Sequence, residues 1–180
     1  MPMRRILAPV LLALMSCRKA PSDWEKTKSW VRSEFPGVEH VSPEDLRLRL
    51  DPGRKSPIVL DVRTAEEYEV SHLPGAIRVD PDGDLPEFLR TLDPEAPVVA
   101  YCSVGYRSSR LVERLKKEGF ADAKNLEGSI FEWANKGYPL ERDGARVREV
   151  HPYDAEWGRL LDPSLHAYRP GARSAPDAQP

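Results

Sequence analysis

Cys102 is the residue of this 180-residue chain whose surroundings best suit chemistry. It follows the apolar run Pro97-Val98-Val99 and opens the stretch Cys102-Ser103-Val104-Gly105-Tyr106-Arg107-Ser108, ahead of a helical pattern. A thiol at that point is either a packed core cysteine or a nucleophile held as its anion. A free cysteine has a pKa of about 8.5, so little of it is ionised at neutral pH. The loop has the means to change that. Successive backbone N–H groups curl around one sulfur, and a helix beginning near Ser108 adds its positive end. Gly105 is free to take positive φ in the turn. Arg107, and Arg110 one turn on, offer charge to an anionic reactant, while the Ser103 and Ser108 hydroxyls offer hydrogen bonds to sulfur. A nucleophile that is already an anion needs no separate general base. His40, His72, His151 and His166 stand alone and are read as structural or exposed.

Elements able to present such a loop surround it. Pro97–Cys102 is a buried β-branched run, and Leu111, Val112 and Leu115 give the following helix an apolar face that ends at Gly119. Pro57–Arg63 is a second buried strand. Thr64 and Glu67 form a capping box that opens a helix. Ala76–Val79 and Ala123–Gly128 are short strands, and Leu85–Leu92 a helix. A second Ser/Glu spacing, Ser129 with Glu132, predicts another capping box on a helix that ends at Gly137. Trp133, at helical spacing from Ile130, belongs to the core. Ser42 and Pro43 start a helix before the first strand, and Ser22–Val38 is a modest helix with Trp24, Trp30 and Val31 available to one face. Strands alternate with helices, which predicts an α/β fold with a parallel sheet covered on both faces. After Arg142 the pattern breaks up. Tyr153, Trp157, Leu160 and Leu161 recur at roughly helical spacing, as a brace laid over the domain or a partner-docking segment.

Lys and Arg total 27 against 29 Asp and Glu, a net charge of −2, so no nucleic-acid footprint is expected. No C-x-x-C or histidine cluster supports a metal site. Residues 1–16 carry Arg4 and Arg5 and then an apolar segment of about ten residues, too short to span a bilayer and suited to an export signal. Leu14-Met15-Ser16-Cys17 resembles the lipobox of bacterial lipoproteins, which implies cleavage before Cys17 and a diacylglycerol on its thiol. The expected location is exported, membrane-anchored, on the periplasmic or cell-surface face. Ordinary secretion, with a chance cysteine near the cut, is the alternative.

From about Val41 to Leu140 the chain resembles the single-domain rhodanese-like (thiosulfate sulfurtransferase) family. Asp61, Arg63, Glu66, Tyr68, His72, Pro74, Gly75 and Ala76 fall on a first signature. Val98–Arg110 resembles the active-site strand, loop and helix. Gly128, Trp133, Gly137 and Pro139 fall on the closing element, although Glu127 stands where many relatives have glycine. The resemblance implies a three-layer fold with a central, mostly parallel five-stranded sheet. It implies Cys102 as catalytic persulfide carrier, Ser103 to Ser108 as the substrate loop, and Asp61 and Arg63 as loop support. It implies a sulfane-sulfur donor such as thiosulfate, a thiol or cyanide acceptor, and no cofactor. A non-catalytic sulfur-binding or regulatory module is the alternative. Cysteine phosphatases and arsenate reductases on this fold place an arginine six positions after the nucleophile; here that position is Ser108 and the arginine comes at Arg107. The expected organisation is a signal at 1–16, tether and helix at 17–37, the domain at 38–141, an extension packed on it at 142–170, and a disordered tail at 171–180.

Overall fold

Val98–Tyr101, apolar on both sides and fully buried, forms the middle strand of the sheet. In the computed structural model, which describes residues 23–51, 53 and 56–171, it is β4. The export segment, Cys17 and the tail beyond Gly171 lie outside the described residues. The strands β1 (His40–Val41), β2 (Ile58–Asp61), β3 (Ile77–Arg78), β4 and β5 (Ala123–Leu126) lie in the order β1-β5-β4-β2-β3, with every neighbouring pair parallel. The helices are α1 (Asp23–Glu34), α2 (Pro43–Arg49), α3 (Ala65–Val70), α4 (Glu87–Arg90), α5 (Tyr106–Lys117) and α6 (Ser129–Asn135). This is the expected parallel α/β architecture.

Alternation along β4 sorts the core into two layers. Val99 and Tyr101 face Leu46 of α2 and Ile130, Phe131 and Trp133 of α6. Val98, Ala100 and Cys102 face Val31 of α1, Leu89 of α4 and Leu111, Val112 and Leu115 of α5. The strand therefore aims Cys102 at the beginning of α5 and Tyr101 at the opposite layer.

Several local expectations need correction. The helix after the loop begins at Tyr106, not near Ser108, because Gly105 takes φ 113° and turns the chain into it at once. The chain beyond Pro139 holds an antiparallel hairpin, β6 (Leu140–Arg142) with β7 (Ala145–Val147). Its turn places Asp143 at φ 50° and Gly144 at φ 73°, both left-handed, as a two-residue hairpin turn requires. The later segment is not an α-helix: it makes two 3₁₀ turns, Trp157–Leu160 and Pro163–Leu165. It lies on the α6 layer through buried Val150, Leu161 and Leu165.

Candidate active site

The end of β4 is held by the start of α6. Cys102 N–H donates to Ser129 Oγ at 3.2 Å, and the Cys102 and Ser103 carbonyls accept from Ile130 N and Phe131 N at 3.1 and 3.2 Å. This overturns the second expected capping box. Gly128, left-handed at φ 64°, is the N-cap, and the Ser129 hydroxyl serves Cys102 and the Leu126 carbonyl.

The chain after Cys102 turns back toward the sulfur. Gly105 N–H donates to Cys102 Sγ at 3.1 Å, and Ser108 Oγ lies 3.5 Å from it. Ser108 Oγ also lies 2.6 Å from Asn125 Oδ1, whose amide nitrogen faces His40 Nδ1 at 3.1 Å. The single hydroxyl proton of Ser108 thus has two acceptors, Asn125 and the sulfur. A Cβ on Gly105 would stand 3.1 Å from the Asn125 amide, so space as well as φ selects glycine. Cys102 is only 1% exposed. Burial pushes its pKa up, but the Arg107 charge, the Ser108 hydroxyl and the Ser108 and Gly105 amides outweigh it, leaving the thiol below its ordinary value.

Arg107 is anchored by a residue that sequence reasoning assigned only to a cap. Glu67 accepts from Thr64 N–H at 3.0 Å in the α3 capping box. The same carboxylate takes Arg107 Nη1 and Nη2 at 2.9 and 2.8 Å and the Ser103 hydroxyl at 3.0 Å. Burial would raise the Glu67 pKa, yet the hydrogen bonds and charge of Arg107, with the Thr64 amide and Arg63, bring it down to about 2. Ser103 therefore spends its proton on Glu67, and of the two expected hydroxyls only that of Ser108 faces the sulfur. Arg110 turns away to Asp82 on the surface. Asp61 and Arg63 make no hydrogen bond to the loop. Arg63 Nε and Nη2 grip Asp61 at 2.9 and 2.6 Å, and Tyr101 Oη donates to Asp61 Oδ2 at 2.6 Å, so the fully buried pair fixes the residue before the cysteine. His72 is structural, exchanging backbone hydrogen bonds with Glu141.

Above the sulfur lies a cleft of about 140 Å³, bounded by Cys102, Trp30, Tyr106, Arg107, Tyr153 and Trp157. Val104 and Ser103 complete its floor. Trp30 stacks between Tyr106 and Trp157, with ring centroids 4.9 and 5.8 Å away, and Arg107 lies 4.8 Å from the Tyr153 ring. Trp30, Tyr153 and Trp157 went unassigned to the site in sequence reasoning. Their separation in the chain gives no local signal of convergence. Two larger clefts lie beside the β6–β7 hairpin, away from the nucleophile. Among the described residues no group of three or more His, Cys, Asp or Glu could hold a metal ion.

Residues 42–136 match the family model described as the rhodanese-like domain. The chain is 36% identical over 137 residues to the probable adenylyltransferase/sulfurtransferase MoeZ of Mycobacterium tuberculosis, covering 69% of this chain but 35% of that relative. It thus spans only about a third of that larger protein. It is 31% identical over 109 residues to the thiosulfate sulfurtransferase GlpE of Pseudomonas fluorescens, covering 61% of this chain and 93% of that one. A crystal structure of a rhodanese-like domain protein from Staphylococcus aureus superposes with a TM-score of 0.51 at 29% identity, over 59% of this chain and all of the other.

Proposed function

The chain belongs to the rhodanese-like family, whose members similar to it include sulfurtransferases, and from that premise we propose that it transfers sulfane sulfur through a persulfide on Cys102. The observation that carries this reading is the buried sulfur facing the Gly105 amide and Ser108, with its pKa held below the ordinary value. In the first step the Cys102 thiolate attacks the outer sulfur of thiosulfate or a similar donor. The new S–S bond forms as the donor's S–S bond breaks, and sulfite leaves with the electron pair. The loop amides then face the terminal sulfur of the persulfide. In the second step a thiol or cyanide takes that sulfur, and Cys102 departs as the thiolate that the loop favours. The shortness of the loop, with arginine at the fifth position after the cysteine, supports an acceptor site for one sulfur rather than for a tetrahedral oxyanion.

Incubation with thiosulfate or polysulfide followed by intact-mass measurement tests the reading. A gain of one sulfur that is absent in Cys102→Ser is expected. No adduct from any donor would overturn the reading in favour of a non-catalytic module, and aryl phosphate hydrolysis lost in Cys102→Ser would overturn it in favour of a phosphatase. We further propose that the chain works outside the cytoplasm, tethered through lipidated Cys17, on the support of the basic start, apolar segment and lipobox-like residues 14–17. Palmitate labelling should vanish in Cys17→Ser; a labelled variant would overturn the tether.

A further inference from the structure

Three of the aromatic walls of the cleft come from outside the segment that matches the family model. Trp30 belongs to α1, and Tyr153 and Trp157 to the chain after the hairpin, whereas the matched residues end at 136. Trp30 is 38% exposed and Tyr153 45% exposed, although both are large rings beside a buried sulfur. Water over the exposed parts of those rings is displaced favourably by an apolar body. The volume, about 140 Å³, is close to the roughly 150 Å³ at which an apolar protein cavity accepts benzene.

Charge points the same way. Arg107 is the cation of the cleft, and Glu67 already grips both of its terminal nitrogens. Behind it, Arg63 is matched by Asp61. Once Cys102 is ionised, these five groups carry one excess negative charge. A dianionic donor such as thiosulfate meets that excess and finds no unengaged side-chain cation among the residues lining the cleft. A donor with a single charge, spread beside an apolar body, meets less repulsion and covers the rings.

Resting on the sulfurtransferase reading above, we propose that the preferred donor is an organic sulfane-sulfur compound, an apolar or aromatic body with at most one negative charge, recognised by Trp30 and Tyr153. An aryl thiosulfonate is the model compound. Cys102 Sγ bonds to its outer sulfur, the donor's S–S bond breaks, and arylsulfinate leaves with the electron pair. Two singly charged reactants give two singly charged products, with no proton or external oxidant.

The test compares benzenethiosulfonate, methanethiosulfonate and thiosulfate as donors to cyanide, each kcat/KM divided by that donor's rate with free cysteine. The corrected preference for the benzene over the methane donor is expected to be about tenfold, the scale of one buried ring contact. It should fall about fivefold or more in Trp30→Ala and in Tyr153→Asn. Tyr153 sits at φ 67°, a conformation asparagine tolerates, so the second variant keeps the fold while removing the ring. A corrected ratio near one, a corrected preference for thiosulfate over both thiosulfonates, or a ratio unchanged in both variants overturns the inference while Cys102 still loads sulfur. Failure of all three donors to load Cys102 overturns it together with the sulfurtransferase reading.

Discussion

Glu67→Gln separates charge from shape at the heart of the site. The Glu67 side chain is 2% exposed and holds both terminal nitrogens of Arg107, so solvent screening does little to weaken the pair. Its pKa falls from an ordinary 4.5 to about 2 in the folded protein. At about 1.4 kcal/mol per tenfold change in proton affinity, ionised Glu67 contributes about 3 kcal/mol of stability near pH 7. The sign follows from which state binds the proton first. As pH falls, the unfolded chain protonates this carboxyl near 4.5 while the folded one resists to about 2, so the contribution is complete above the first value and lost across the interval. Glutamine keeps the shape and one acceptor oxygen but has no charge to lose. Urea unfolding of both proteins should show a stability gap of about 3 kcal/mol near pH 7, narrowing by about 1 kcal/mol near pH 4 and by about 2 near pH 3. Effects of the lost hydrogen bonds remain at every pH and cancel from that narrowing. A gap that stays constant on acidification, or widens, would refute the assignment of Glu67 as the charged anchor of Arg107.

Three further outcomes can be measured directly. Gly105→Ala must place a side chain at φ 113° with its Cβ 3.1 Å from the Asn125 amide, and should cost about 1–3 kcal/mol in thermal unfolding and slow sulfur loading. Ser108→Ala removes a hydroxyl that lowers the Cys102 pKa, so the pH profile of thiol alkylation should move to higher pH while the protein stays folded. Tyr101→Phe strips a buried hydroxyl that donates to Asp61 and accepts from Leu73 N–H, and chemical denaturation should register a loss of about 1–3 kcal/mol.

What could be seen in the residues themselves was governed by local signals. The Thr64/Glu67 box was legible because both partners sit within one turn, and the two buried strands because their apolar runs are unbroken. The second use of Glu67 was not, since Arg107 lies forty residues on and nothing local marks the pair. Ser129 and Glu132 carry the same spacing as Thr64 and Glu67, yet Ser129 itself stands at φ 50° behind a left-handed glycine, which sends its hydroxyl to Cys102 instead. β1 is two residues long, too short to show any alternation. The β6–β7 hairpin does carry a local signal, Asp143-Gly144 between short apolar-alternating stretches, but each strand is only three residues long and adds little to it. Around Tyr153 and Trp157 the spacing resembled a helix, but Tyr153 at φ 67° breaks one, and Asp154 instead accepts from the Glu156 and Trp157 amides to open a 3₁₀ turn.

The stack of Trp157 on Trp30 ties the two ends of the described chain to each other, across nearly the whole domain in sequence. A contact of such long range closes a large loop, whose entropic cost is more readily met once the sheet has brought its ends together. With Trp30 partly exposed, this contact is expected to open early in partial unfolding. Any molecule lodged in the cleft that both rings line therefore acts as a clasp on both termini at once, and occupancy of a site at the end of the middle strand should be felt farthest away in sequence, as slower amide exchange and protease cleavage at the ends.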